Sequence, residues 1–209
     1  MAHSLPETFA PLLLRWYAAG HRDLPWRQDR EPYHVWLSEI MLQQTRVEAV
    51  KKIYYRRFLE AFPDVFALAN AAEDQVLKMW EGLGYYSRAR NMQKAARLVV
   101  SEYGGEFPHT AKELAKLPGI GHYTAGAIAS IAFDCPEPAV DGNVLRVLAR
   151  LLAFEEDVSL QTVKNWMTEK IRTIIPENRA GDFNQSLMEL GAIVCIPNGE
   201  PLCSLCPLV

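Results

Sequence analysis

The sequence predicts an all-α fold of roughly nine or ten short helices. Apolar residues recur at spacings of three and four along the chain of 209 residues, which is the pattern of one face of an α-helix. The alternation typical of a half-buried β-strand is not sustained anywhere. Proline and glycine interrupt the helical segments at short intervals, at Gly82 and Gly84, Gly104 and Gly105, residues 118–121, Pro136 and Pro138, and Pro176.

The composition is that of an ordinary globular protein, with 49% hydrophobic and 22% charged residues. A chain of 209 residues is long enough for one large domain or two small lobes with a substantial core. Charges or glycine break the longest apolar runs, so no membrane segment is predicted. Residues 1–8 lack the basic start and apolar core of a signal peptide, and we therefore expect a cytoplasmic protein.

Two apolar stripes indicate amphipathic helices. The first consists of Val47, Val50, Tyr54, Phe58 and Phe62, and the second of Val144, Leu145, Val147, Leu148, Leu151 and Leu152. The segment 35–45 differs, because apolar residues at positions 35, 36, 37, 40, 41 and 42 cover most of the circumference of a helix. This pattern predicts an interior helix.

Glu39 lies in the middle of that interior segment. Apolar surroundings raise the pKa of a carboxyl, because desolvation penalises its charged form, and a raised pKa suits a general acid near neutral pH. The alternative is a partly exposed glutamate or one paired with an arginine. The following Gln43 and Gln44 suit polar contacts to nucleic-acid bases, although glutamines are also common on surfaces.

Asp141 and Asn143 precede the second stripe, and either could simply cap the helix that begins near Val144. An aspartate at this position is also readily kept ionised, since the helix dipole and free amides favour the anion. A protonated Glu39 and a charged Asp141 would be a complementary pair of the kind that cleaves glycosidic bonds.

The segment 117–121, Leu-Pro-Gly-Ile-Gly, forms a turn before an apolar helix. Gly119 and Gly121 allow the backbone to approach a phosphate closely, and amides at the start of the next helix point towards it. This favours non-specific binding to a DNA backbone, although the turn alone is a weak signal.

Residues 84–97 form a basic segment with four basic residues and no acidic one. They either contact phosphates or form a solvated helix face.

Three cysteines, Cys195, Cys203 and Cys206, cluster near the C-terminus with the spacing Cys-x7-Cys-x2-Cys. Such a cluster indicates a zinc or iron–sulfur site, and both normally take four ligands. Cys135 lies apart from it and is expected to be a buried structural thiol rather than the fourth ligand.

Six segments, taken in order, resemble the helix-hairpin-helix DNA glycosylase superfamily and, within it, the MutY family of adenine glycosylases. The resemblance extends over residues 24–206. The segments are Leu-Pro-Trp-Arg (24–27), Ser-Glu-Ile-Met-Leu-Gln-Gln-Thr-Arg-Val (38–47), Gly-Leu-Gly-Tyr-Tyr-Ser-Arg-Ala-Arg-Asn (82–91), Leu-Pro-Gly-Ile-Gly-His-Tyr-Thr-Ala-Gly (117–126), Val-Asp-Gly-Asn-Val (140–144) and Phe-Asn-Gln-Ser-Leu-Met-Glu-Leu-Gly-Ala (183–192).

The resemblance implies a monomer of two helical lobes that binds double-stranded DNA between them. One lobe would span about 28–135, and the other, which carries a [4Fe-4S] cluster, about 1–27 plus 136–209. The implied reaction is hydrolysis of the N-glycosidic bond of adenine mispaired with 8-oxoguanine or guanine.

Particular residues match the family's functional positions. Glu39 matches the acid that protonates the flipped adenine, and Asp141 matches the carboxylate that stabilises the oxocarbenium-like sugar. Tyr123 and Asn143 match residues that support this centre. The remaining matches are Trp26, Arg27, Leu42 and Glu189 for the adenine pocket, and Gln43, Gln44 and Tyr85 for side chains that enter the duplex.

Tyr123 distinguishes the adenine glycosylase interpretation from its nearest alternative, an enzyme like endonuclease III. Endonuclease III resembles this hairpin but carries a lysine at the matching position, which forms a Schiff base and permits strand cleavage. A phenol forms no imine, so we expect a monofunctional glycosylase. Thymine mismatch glycosylases also carry tyrosine there but lack the Gln43-Gln44 pair. A non-catalytic DNA-binding module is the alternative from another class.

The sequence departs from the family pattern in two ways. The family's cysteines follow Cys-x6-Cys-x2-Cys-x5-Cys, whereas the first gap here is seven residues and a fourth cysteine would fall beyond Val209. The family's C-terminal domain, which resembles MutT, also has no counterpart within residues 1–209. We therefore expect a C-terminally truncated chain that holds the cluster weakly or has lost it, and that discriminates less well between 8-oxoguanine and guanine.

Overall fold

The computed structural model describes residues 5–209, and within this range the regular structure is helical with no strand. The α-helices are α1 Phe9–Gly20, α2 Pro32–Leu42, α3 Val47–Ala49, α4 Tyr55–Ala61, α5 Val65–Asn70, α6 Glu73–Trp80, α7 Ser87–Tyr103, α8 Ala111–Leu114, α9 His122–Phe133, α10 Gly142–Leu151, α11 Gln161–Arg172 and α12 Ala180–Ile193. Short 3₁₀ turns occupy Pro25–Arg27 and Cys203–Leu205. The predicted all-α class is confirmed, and none of these helices has the length and apolar character needed to cross a bilayer.

A π-helical segment, Val50–Tyr54, joins α3 to α4 and changes the predicted stripe. The N–H of Tyr55 donates to the carbonyl of Val50, five residues earlier. This wider turn rotates the residues that follow, so Tyr55 is buried whereas Tyr54 is only half-buried. The stripe predicted at 3.6 residues per turn thus has Val50, Phe58 and Phe62 buried and Val47 and Tyr54 half-buried.

The chain divides into two compact units. Unit 2 comprises residues 23–128, and fully buried aromatic side chains form the centre of its core. Phe58 packs edge-on against Trp80 with ring centroids 6.0 Å apart, and Trp36 packs similarly against Phe107 at 5.2 Å. Helices α5 and α7 are packed together in this unit.

Unit 1 comprises residues 1–22 and 129–209, of which 1–4 lie outside the described range. Its core is formed by apolar faces of α1, α10, α11 and α12, with Leu13, Leu148, Met167 and Phe183 fully buried. Helix α9 contributes to both units, because the division falls after Ile128. The lobe bounds of 28–135 and the remainder, which came from the family resemblance, stay a prediction.

Candidate active site

Glu39 lies on a helix that is buried around its whole circumference. Every residue from Val35 to Met41 in α2 is buried, and Glu39 itself is 8% exposed. The predicted interior helix is thus confirmed. At 8% exposure the Glu39 side chain is largely shielded from bulk water.

The chain immediately after α2 carries two of the predicted DNA contacts. Gln43 is half-buried and its Nε2 donates a long hydrogen bond of 3.5 Å to the Thr124 hydroxyl. Gln44 is exposed and has a φ of 55°, in the left-handed region that non-glycine residues rarely adopt. Such strain often marks functional segments.

Tyr85 has the same two properties in another loop. Its side chain is 63% exposed and its φ is 47°. An aromatic ring that stays exposed to water contributes little to the stability of the fold. Stacking against a nucleic-acid base would remove this ring from water.

The pocket residues predicted from the segment 24–27 lie in the 3₁₀ turn Pro25–Arg27. Trp26 is buried, with its ring edge-on to Tyr55 at 5.4 Å, and Arg27 is half-buried. Leu42, the last residue of α2, is also half-buried. These side chains are accordingly only in part available to a ligand.

The turn between α8 and α9 places its two glycines in different roles. Gly119 has a φ of 80°, and a Cβ there would also lie 3.0 Å from the Asn91 Cβ, so both the backbone and the packing favour glycine. Gly121 has no such φ, and a Cβ would meet nothing within 4 Å. The backbone beside Gly121 is therefore open to a ligand, and Tyr123 stands half-buried in the first turn of α9.

Asp141 is the N-cap of α10, as its spacing suggested. Its Oδ1 accepts the Val144 N–H at 2.8 Å, and its Oδ2 accepts the Asn143 Nδ2–H at 2.8 Å. Both carboxylate oxygens are thus oriented by N–H donors at a helix N-terminus, where negative charge is favoured. The cap and the proposed catalytic role are compatible, because the side chain is still half-exposed.

The sequence analysis missed Arg146, which supports this cap. Its Nη2 donates to the Asn143 Oδ1 at 2.9 Å and to the Gly191 carbonyl at 2.7 Å. Its Nε donates to the Cys195 carbonyl at 2.9 Å. Arg146 therefore connects the Asn143 side chain, which holds Asp141, to the end of α12 and to the backbone of Cys195.

Glu189, the fourth predicted pocket residue, is fully buried and bound by Arg22. The Arg22 Nε and backbone N–H both donate to Oε1 at 2.9 Å, and Nη2 donates to Oε2 at 2.8 Å. This charge-assisted fork fixes the carboxylate against the end of α1. A role in binding adenine stays a prediction.

The three clustered cysteines line one pocket of about 170 Å³ with Arg150 and apolar side chains of α10 and α12. The Arg150 Nη1 lies 3.3 Å from the Cys195 Sγ. Burial raises the pKa of the Cys206 thiol, and the nearby Cys195 and Cys203 raise it further. Thiols are the donors that an iron–sulfur group takes, but within residues 5–209 the structure brings no three such side chains into an arrangement that could hold a metal ion.

The basic segment 84–97 is largely used within unit 2. Arg88 donates to backbone carbonyls, Arg90 pairs with Glu73 at 2.9 Å, and Arg97 donates to the Ala69 carbonyl at 3.1 Å. Among the four bases only Arg88 is half-buried, and the exposed Arg90, Lys94 and Arg97 fit a solvated helix face; phosphate binding by this segment stays a prediction.

This chain is similar in sequence to known DNA repair proteins of one family. Residues 37–173 match the family described as HhH-GPD superfamily base excision DNA repair protein. The adenine DNA glycosylase of Mus musculus is 49% identical over 96% of this chain and 40% of its own length. That of Buchnera aphidicola subsp. Schizaphis graminum (strain Sg) is 41% identical over 96% of this chain and 58% of its own length. The chain thus spans about two fifths to three fifths of these relatives.

Two solved structures share the fold over nearly the whole chain. A thermostable thymine-DNA glycosylase superposes with a TM-score of 0.85 at 30% identity, covering 97% of this chain and 92% of that one. An endonuclease III in a non-covalent DNA complex superposes with a TM-score of 0.78 at 26% identity, covering 98% and 94%.

Proposed function

The chain belongs to the HhH-GPD superfamily of base excision DNA repair proteins, and we propose that it is a monofunctional DNA glycosylase that removes adenine mispaired with 8-oxoguanine or guanine. The adenine DNA glycosylases that align with about 95% of the chain support this substrate. The proposed partner is double-stranded DNA, since an endonuclease III of the same fold is described in complex with DNA. We propose that the protein acts as a monomer.

The observation that carries the proposal is the burial of Glu39 in α2, where every residue from Val35 to Met41 is buried. A carboxylic acid kept from bulk water suits the protonation of a base that has been flipped out of the duplex. The proton passes to the adenine ring, the bond from its nitrogen to the sugar C1′ breaks, and the electron pair leaves with the base. Trp26, Arg27, Leu42 and Glu189 are proposed to hold the adenine.

Asp141 is proposed to stabilise the positive charge that the sugar gains as the bond breaks. Its two oxygens are held by the Asn143 and Val144 N–H groups at the start of α10, which fixes their direction. Water then supplies a hydroxyl group to C1′ and releases a proton, so the product is an abasic site. Asn143 fixes the orientation of the carboxylate.

Tyr123 excludes the Schiff-base route at its position, because its phenol contains no amine. We propose that Gln43, Gln44 and Tyr85 enter the duplex around the mispair, and that the backbone at Gly119 and Gly121 meets phosphates. The strained φ values and exposure of Gln44 and Tyr85 support this role.

Cys195, Cys203 and Cys206 are proposed to supply three thiolates to an iron–sulfur cluster, with which the family is consistent. The pocket that these thiols share supports the assignment. Such a cluster, when bound, would cross-link the segment that follows α12 and supply a redox-active group. Arg150 would then place a positive charge beside the Cys195 sulfur.

The activity is tested with a labelled duplex that contains adenine opposite 8-oxoguanine. After incubation, one half of each sample is treated with alkali, which breaks the strand at an abasic site. The proposal predicts strand breaks only after alkali. Breaks without alkali would instead indicate a lyase like endonuclease III, and binding without either product would indicate a non-catalytic module. A duplex with A opposite T is the control for mispair specificity.

A further inference from the structure

Arg88 joins two loops of unit 2 that are distant in the sequence. It lies in the first turn of α7, and its guanidinium donates only to backbone carbonyls. The acceptors at the end of α2 are Ile40 at 2.8 Å, Met41 at 3.3 Å and Gln43 at 2.6 Å, and those in the preceding loop are Leu83 at 3.0 Å and Gly84 at 3.3 Å. One side chain thus binds five carbonyl oxygens.

The first group of carbonyls lies at the end of α2, where the Leu42 carbonyl also accepts the Thr45 N–H at 3.3 Å. The last carbonyls of an α-helix have no intrahelical partner, and a glycine in the left-handed conformation commonly follows to help satisfy them. Helix α2 ends instead at Leu42 and continues directly into Gln43 and Gln44. The Arg88 guanidinium supplies donors to the carbonyls of Ile40, Met41 and Gln43, and so holds the backbone from which both glutamines project.

The second group of carbonyls directly precedes Tyr85. The two residues that follow the bound carbonyls, Gln44 and Tyr85, are the strained and exposed ones, with φ values of 55° and 47°. Arg88 also lies over the Trp80 ring at 5.3 Å and over the Tyr85 ring at 5.6 Å. The Arg88 guanidinium therefore contacts the ring of Tyr85 and the backbone that precedes Gln44 and Tyr85.

We propose that Arg88 is a positioning residue that fixes Gln44 and Tyr85 together in the geometry with which they enter the duplex. The proposal rests on the proposed function, which assigns that entry to these side chains. Arginine is suited to the task because its planar fork has five N–H donors, whereas the compact ammonium of lysine cannot bind both loops in the same way. Arg88 would act on the opening of the mispair and not on bond cleavage.

The test compares two substrates, because only one of them requires the mispair to be opened. In the first, adenine faces 8-oxoguanine. In the second, adenine faces a stable abasic analogue, so no opposite base has to be displaced. Arg88→Gln should lower the single-turnover rate on the first substrate by roughly 10- to 100-fold, as expected for the loss of several charge-assisted hydrogen bonds, and by less than about fivefold on the second.

A spectroscopic reading separates this role from general damage to the fold. With 2-aminopurine in place of the target adenine, wild-type protein should increase its fluorescence on binding, and Arg88→Gln should lose most of that increase. Arg90→Gln is the matched control, since it changes the same side chain two residues later in α7 at an exposed pair with Glu73. It should leave both rates and the fluorescence change as in wild type.

A second variant covers the case in which Arg88→Gln does not fold. Gly84→Ala keeps Arg88, and a Cβ there meets nothing within 4 Å, but the φ of 69° strains any other residue and shifts the loop carbonyls. It should show the same selective loss on the first substrate.

The outcomes separate the two proposals. Wild-type protein that is inactive on both substrates contradicts the proposed glycosylase. Suppose instead that wild-type protein is active, and that Arg88→Gln and Gly84→Ala are either unaffected or equally impaired on the two substrates. This result would overturn the proposed role of Arg88 and leave the proposed glycosylase intact. In a double-mutant cycle, Arg88→Gln and Tyr85→Ala should be clearly non-additive, and strict additivity would also overturn it.

Discussion

Replacing Gly191 by alanine should displace the amide that orients Asp141. Gly191 is buried on α12 against the start of α10, and a Cβ there would lie 2.6 Å from the Asn143 Cβ and 3.1 Å from its carbonyl oxygen. Non-bonded carbon atoms prefer about 3.5–4.0 Å, so the two helices must separate locally by about 1 Å. Overpacking of this size costs about 1–3 kcal/mol. In a chain of this length the melting temperature should fall by about 3–10 °C.

The same shift predicts a loss of catalytic rate. The Asn143 Nδ2 and Asp141 Oδ2 atoms are 2.8 Å apart, and a further separation of about 1 Å would break this hydrogen bond. Misplacement by about 1 Å can cost a reaction up to roughly 100-fold, so we expect single-turnover adenine release to fall between 10- and 100-fold.

Thermal unfolding and single-turnover kinetics on the 8-oxoguanine duplex measure the two effects. Gly20→Ala is the matched control, because a Cβ there meets nothing within 4 Å and the residue ends helix α1 of the same unit. It should leave both values nearly unchanged. If Gly191→Ala melts and reacts like the control, the close approach of α12 does not hold Asn143 and the reasoning fails.

Three further substitutions test other parts of the site. Tyr123→Lys should introduce strand cleavage without alkali and a borohydride-trapped adduct, and a variant that shows neither would mean that position 123 does not reach the sugar. Cys203→Ser should lower the iron and sulfide content of protein purified without oxygen, whereas unchanged content would exclude this thiol as a ligand. Arg22→Met removes the two side-chain hydrogen bonds to the buried Glu189 carboxylate, while the backbone N–H at position 22 still donates, and should cost about 2–3 kcal/mol of unfolding free energy. Arg22→Lys should recover part of that loss, and equal stability of wild type and both variants would contradict the buried fork.

The sequence predicts the parts of this protein that depend on local spacing. The apolar residues around Glu39 predict an interior helix, and the position of Asp141 before Val144 predicts a cap. Both hold because helix periodicity and capping involve residues no more than a few positions apart. The assignment of catalytic roles came from the order of six motifs, which periodicity alone does not supply.

The missed features depend on contacts between distant segments. Arg88 binds carbonyls up to 48 residues earlier, and Arg146 binds a carbonyl 49 residues later. In the sequence, Arg88 lies in a basic segment that is assigned to phosphate contacts or to a solvated helix face, and Arg146 belongs to none of the interpreted motifs. The π-helical turn before Tyr55 was missed for a different reason, because a spacing rule assumes the ordinary helical repeat. The sequence shows Arg88 four residues after Gly84, but this spacing does not identify the carbonyls that it binds.

The most direct test of the central claim is the release of free adenine by wild type and by Glu39→Gln from the same duplex. The amide preserves the shape of the side chain but cannot deliver the proton, so the rate should fall by about 10²- to 10⁴-fold while duplex binding is retained. Wild-type protein should release one adenine per 8-oxoguanine mispair and leave an alkali-labile site. A Glu39→Gln variant with at least a tenth of the wild-type rate, or a wild type that releases no adenine, would contradict the account.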